Sequence, residues 1–195
     1  MPRNFTSIVL LGVVIVAALW FLDSPPPQFQ SSPEPASDAF VLTQYFNNID
    51  TVQYNSQGLP EQRFQSKRIE HQTLAGTDSV DEKGRALMQL PDISFYQDGE
   101  VRWRINSLSG ESNLNEEKIH LQNQVALNQL GRDDAWSIET ESLWIDPSQQ
   151  TAHTEAPVKL QTRGILSTGV GMKADLIEES IEVLADTKTY YDPSL

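Results

Sequence analysis

The chain has 195 residues, 14 of them basic and 27 acidic, for a net charge of −13, and it contains no cysteine. That balance disfavours nucleic acid, which needs clustered Lys and Arg, and it disfavours lying flat on an anionic membrane surface. Without cysteine there is neither a disulfide nor a lipoprotein signal, so an oxidising compartment is permitted but not used.

The first element is residues 5–22, FTSIVLLGVVIVAALWFL, eighteen positions without a charge. At about 1.5 Å per residue such a helix reaches roughly 27 Å, close to the hydrocarbon thickness of a bilayer. A cleaved secretory signal would have a shorter apolar core followed by a small-x-small site. Here Asp23-Ser24-Pro25-Pro26-Pro27 follows, and Ala17-Ala18 lies inside the apolar run. The expectation is an uncleaved anchor. Arg3 precedes the span and Asp23 follows it, which places residues 1–4 in the cytoplasm and the rest outside. Residues 23–37 hold five prolines and form a semi-extended linker.

Residues 38–195 are one domain's worth of chain. Without Arg3, Asp23 and Glu34 they carry 13 basic and 25 acidic residues, net −12. They read almost entirely as strands. Val101, Trp103 and Ile105 alternate with Arg102, Arg104 and Asn106. Ile119 and Leu121 alternate with His120 and Gln122, and Trp136 and Ile138 with Ser137 and Glu139. Period two with one apolar face is the signature of a half-buried strand. Turn signals fall between, at Asn55–Gly58, Gln97–Gly99, Gly131–Asp134 and Asp146–Ser148. The stretch Ala174–Ala185 fits a helical stripe in part, but Ile181-x-Val183 favours a strand.

The strands repeat. Trp103, Trp136 and Gly169 are spaced 33 apart. Ile105 and Ile138, Val125–Leu127 and Val158–Leu160, and Leu143 and Leu176 share that offset, and Pro91–Phe95 is a further copy one residue out of step. A period of this size implies stacked supersecondary units. Corners are expected at Leu90-Pro91, Asn123-Gln124 and Ala156-Pro157, since Pro and Asn suit a bend or bulge. The fold class is therefore all-β: stacked, bent antiparallel strands that make two twisted, facing leaves open at both ends, preceded by one transmembrane helix. An evenly spaced β-sandwich would share the class and differ in topology. Edge strands are left bare, because Val41–Tyr54 carries only Asp50 as a charge. Tyr45, Ile49, Val52 and Tyr54 at one end, and Met172, Leu176, Ile181 and Val183 at the other, are candidate sites for strand addition by partners.

At this point the chain resembles the LptC family of the Gram-negative lipopolysaccharide export machine. Tyr54–Pro60 resembles its opening Y-x-x-x-G turn, and Ser66–His71 the strand that follows. Leu90–Tyr96 resembles P-x-[LIV]-x-x-[FY], and Trp103–Ser107 resembles W-x-[IV]-x-A. Ile119–Val125 resembles [LI]-x-L-x-G-x-V, with Asn123 in place of Gly, and Ser167–Gly169 with Met172–Leu176 resembles a C-terminal Gly-containing strand. Each motif is only a strand with a turn; their order together with the anchor carries the likeness over nearly the whole length.

The resemblance implies a V-shaped β-jelly-roll outside the inner membrane. It implies lipopolysaccharide as cargo, the LptB/LptF/LptG transporter as partner at the N-terminal edge, and the bridge protein LptA at the C-terminal edge. It implies no enzyme and no cofactor, and the chain has no P-loop. The alternating residues would then line a slot for acyl chains: Ile93, Phe95, Trp103, Ile105, Ile119, Leu121, Val125, Leu127, Trp136, Ile138, Val158 and Leu160. By pattern alone the same residues suit a closed core. The acidic charge points to contact chiefly with acyl chains rather than phosphates.

Other chemistry is weaker. His120 and His153 lie 33 apart, at equivalent repeat positions on an outer face, but zinc spacings are absent, so no metal is expected. Adjacent carboxylates such as Glu116-Glu117, Asp133-Asp134 and Glu178-Glu179 point to opposite faces in a strand, which argues against a glycosidase pair. No G-x-S-x-G occurs. Trp103 and Trp136 could stack sugars, though apolar anchors are the simpler account. The competing function is a membrane-tethered scaffolding domain without lipid cargo.

Overall fold

The computed structural model describes residues 40–74, 84–113 and 118–191. All belong to the unit Ser37–Leu195, one of two into which the chain divides. The expected cytoplasmic residues 1–4, the anchor 5–22 and the linker 23–37 lie outside the described residues. Among the described residues no helix is long and apolar enough to cross a membrane.

Among the described residues eleven strands follow one another: β1 (Phe40–Tyr54), β2 (Pro60–Leu74), β3 (Arg85–Gln89), β4 (Asp92–Gln97), β5 (Glu100–Asn106), β6 (Ser109–Asn113), β7 (Ile119–Gln129), β8 (Ser137–Asp146), β9 (Thr151–Thr162), β10 (Ile165–Asp175) and β11 (Ser180–Tyr191). All pairings are antiparallel. The spatial order runs β11-β10-β9-β8-β7-β5-β4-β2, with β1 on the far side of β2. The short strands reveal how the sheet folds. One end of β2 pairs with β4 and the other with β3. One end of β7 pairs with β5 and the other with β6. The long strands thus run through two leaves, one containing β4 and β5, the other β3 and β6.

The strands bend where they pass between the leaves. Asn48, Leu90, Asn123, Gln124 and Asp186 have φ between 49° and 65° there, and Gly171 has φ 74°. Left-handed backbone is costly for most side chains, least for Gly, Asn and Asp. The register slips at the same line, between Gln122 and Val125 in β7, Thr140 and Trp144 in β8, and Val170 and Met172 in β10. Two of the three expected corners, Leu90-Pro91 and Asn123-Gln124, carry the left-handed residues. At Ala156-Pro157 β9 turns without one, and it carries one extra residue there against both β8 and β10.

A bend strips carbonyls of their ladder partners, and buried carbonyls need replacements. Inward hydroxyls supply them. Ser66 Oγ donates to the carbonyls of Arg68 and Gln89, both at 2.9 Å. Ser107 Oγ donates to Ser109 at 2.7 Å, and Thr140 Oγ1 to Pro157 at 2.9 Å. Ser107 and Thr140 are themselves 33 apart, so the corner brackets follow the repeat.

Inside the fold, apolar residues form continuous cross-strand rows. In one leaf the row runs Phe64, Ile93, Ile105, Leu127, Ile138, Leu160 and ends at Ser167. In the other it runs Ile69, Met88, Gly110, Leu121, Leu143. Burying each large side chain contributes about 1.5–3 kcal/mol. The stretch Ala174–Ala185 is not one strand. Asp175 Oδ1 accepts from the amides of Ile177 (3.0 Å) and Glu178 (2.9 Å), and the resulting turn makes β10 and β11 a hairpin.

Two predictions follow from this framework. A Cβ at Gly169 would collide with Val183 Cγ1 and sit 2.9 Å from the Ala185 carbonyl. Gly169→Ala should therefore push β11 off β10 and cost about 1–3 kcal/mol. Hydrogen exchange should show β11 losing protection while β4 and β5 keep theirs; uniform protection would contradict this. At the other end, Arg63 Nε donates to Asp50 Oδ1 at 2.8 Å and clips β1 to β2. That hydrogen bond holds the Asp50 carboxyl below its ordinary range. Its stabilisation is present above the ordinary carboxylate range and is lost as pH falls through the lowered value. Protection factors in β1 should fall modestly on acidification, the pair being exposed, and Asp50→Asn should flatten the profile. A wild-type profile as flat as that of the variant would show that the clip contributes nothing.

Candidate functional site

The trough residues expected from sequence converge on one interior. Ile93, Phe95, Trp103, Ile105, Leu121, Val125, Leu127, Ile138, Val158 and Leu160 all belong to the buried core, each 4% exposed or less. Ile119 and Trp136 are partly buried and pack against it. Trp136 lies just before β8, where its carbonyl accepts from the Gln129 amide at 2.8 Å. The period-two pattern thus brought all twelve to one side. In this structure the side chains fill the space between the leaves.

Sequence reading passed over part of that interior. Met88, Leu143, Ile145, Ala152 and Ala174 are equally buried. Leu143 and Ile145 lie beyond the slip in β8, so alternation counted from Ile138 puts them on the wrong face. The 33-residue offset from Leu143 to Leu176 was the signal that they belong inside.

The edge residues divide. Tyr45, Ile49, Val52 and Tyr54 lie on β1, which among the described residues pairs only with β2. Phe40, Val41, Leu42, Tyr45, Phe46, Val52 and Tyr54 are exposed there, Tyr54 to 61%. Arginines cover two of the rings: Arg85 lies 4.0 Å from the Phe40 centroid and Arg68 4.5 Å from that of Tyr45. At the other end Ile181 and Val183 lie on the terminal strand β11 and pack partly against the core. Met172 and Leu176 do not lie on an edge. β10 is paired on both sides, by β9 and β11, which makes it an interior strand. Met172 and Leu176, in β10 and the turn after it, are buried in the core.

The rim opposite the corners is held by polar contacts. Trp103 Nε1 donates to the Leu176 carbonyl at 2.9 Å, joining β5 to the β10–β11 turn. Glu179 in that turn accepts from Gln129 Nε2 and Arg132 Nη1, both at 3.0 Å. Arg132 also pairs with Asp134, which is the main cause holding the guanidinium above and the Asp134 carboxyl below their ordinary ranges. Beside these contacts is a cavity of about 190 Å³ walled by Phe95, Trp103, Leu176 and Ile177.

The histidines do other work. His120 stacks on Trp144 at 4.1 Å between ring centroids and hydrogen-bonds Ser142 Oγ at 2.8 Å. His153 stands on the far side of Trp144, in β9. This is an outer-face ladder, and among the described residues no group of His, Asp or Glu could hold a metal ion. Trp103, buried and hydrogen-bonded, presents no face to a sugar.

No curated protein matches the chain. A family model does, over residues 8–192, described as lipopolysaccharide-assembly, LptC-related. With that match across nearly the whole length, on an all-β fold whose inward faces form one apolar interior, the chain belongs to the LptC family, which takes part in lipopolysaccharide transport.

Proposed function

We propose that this chain is a bitopic inner-membrane subunit that accepts lipopolysaccharide from the LptB/LptF/LptG transporter and passes it along its apolar interior to LptA. The observation that carries the reading is the inward apolar row crossing β2 to β9, with a strand at each end of the sheet that pairs on one side only among the described residues. A CH₂ group gains about 0.8 kcal/mol on burial, so an acyl chain left in water costs on the order of 10 kcal/mol. An interior of aliphatic and aromatic side chains removes that cost at every step of transit. The apolar run 5–22, read as an anchor, tethers the chain to the membrane that supplies the lipid. The bare β1 edge then receives the transporter, and β11 receives LptA, both by strand addition.

The second reading, a tethered scaffold without cargo, draws on the filled interior. In the carrier reading the leaves separate and the lining residues exchange contacts with one another for contacts with acyl chains. Photo-crosslinkers at Phe95 and Trp136 in living cells should form lipopolysaccharide adducts; absence of adducts at every inward position would leave the scaffold. For the edges, Val183→Pro in β11 should block LptA co-purification and spare the transporter. Equal loss of both partners would reject the edge assignment.

A further inference from the structure

Apolar contacts and polar contacts respond differently when a trough opens. An inward Ile or Leu that loses its neighbour to an acyl chain exchanges one apolar partner for another. A directional hydrogen bond between the leaves finds no partner in the hydrocarbon of an acyl chain and must break before the leaves part. The rim contacts are of this second kind. Trp103 Nε1 reaches across the interior to a carbonyl 73 residues away in sequence, and Glu179 takes two donors from the opposite leaf.

The β10–β11 turn that presents Leu176 and Glu179 is internally braced. Asp175 Oδ1 holds its amides, and the Leu176 amide donates to the Gln150 carbonyl at 2.9 Å. The turn therefore moves with the β8–β9 connection as one lip. Against it stand β5 and the β7–β8 connection. Arg132 and Glu179 side chains are 48% and 22% exposed, so water replaces their bond readily. Ile177, 57% exposed at the lip, offers an acyl chain its first apolar contact beside the 190 Å³ cavity.

We propose that Trp103–Leu176 together with Gln129/Arg132–Glu179 is a clasp that keeps the two leaves shut over the trough, and that cargo enters from this side by separating the β10–β11 turn from β5 and the β7–β8 connection. The indole N–H, released from Leu176, is then free to donate to an ester or hydroxyl oxygen of the acylated lipid. The clasp deepens the carrier reading and rests on it for the identity of what enters.

The chain has no cysteine, which makes the test unambiguous. With Ile138→Cys as reporter inside the trough, Glu179→Ala should raise the rate of maleimide labelling about tenfold. An unchanged rate overturns the clasp, as does a rise that merely tracks loss of the melting transition. Separately, Arg132→Cys with Glu179→Cys, bridged by a short reducible bis-methanethiosulfonate, should bind purified lipopolysaccharide at least tenfold more weakly than the same sample after reduction. Equal binding in the two states overturns the clasp. If wild type and every variant bind no lipopolysaccharide while labelling still responds to Glu179→Ala, the carrier reading fails and the clasp stands.

Discussion

The fold line is the constraint on which the rest depends. A flat sheet with one apolar face has nothing to bury that face against, and this sheet solves the problem by bending until its two leaves face each other. Bending breaks the ladder along a line through nearly every strand. Two local devices make the break tolerable: left-handed residues such as Asn123, Gln124 and Gly171 that turn the chain, and inward hydroxyls such as Ser66, Ser107 and Thr140 that take over orphaned carbonyls. Without them the rows from Phe64 to Ser167 and from Ile69 to Leu143 would never meet.

The same geometry reconciles a strongly acidic chain with an apolar interior. Alternation sends the charges outward, where several are paired across strands, as Asp92 with Arg104 and Glu139 with Lys159. The interior row of Ile93, Ile105, Leu127, Ile138 and Leu160 carries none. Net charge and lining polarity therefore belong to different faces of one sheet. The interior is hydrocarbon, and the acidic groups face outward into water.

The two ends of the sheet are chemically unlike. β1 is long and rich in exposed aromatic and aliphatic side chains, and its single charge, Asp50, is taken by Arg63. β11 is clipped into a hairpin with β10, and carries Glu182, Asp186 and Lys188 along an otherwise exposed strand. Were both edges to add strands as proposed, such different side chains flanking the ladder would favour different partners.

Much of this was legible in the chain itself. Period two placed Ile93, Trp103, Ile105 and Leu127 on one face, and the 33-residue offset revealed stacked units with corners at Leu90-Pro91 and Asn123-Gln124. Both are local properties: a strand's alternation and a bend's tolerance for Asn are written in neighbouring residues. What the sequence left open was everything that depends on distant segments meeting. Leu143 and Ile145 change face because β8 slips by a residue against β7 and β9. Met172 is buried in the interior because β11 covers β10. Trp103 finds its hydrogen-bond partner only at Leu176, on the opposite leaf. Register and leaf-to-leaf contact are set by cooperative packing across the whole sheet, so only the tertiary structure decided them.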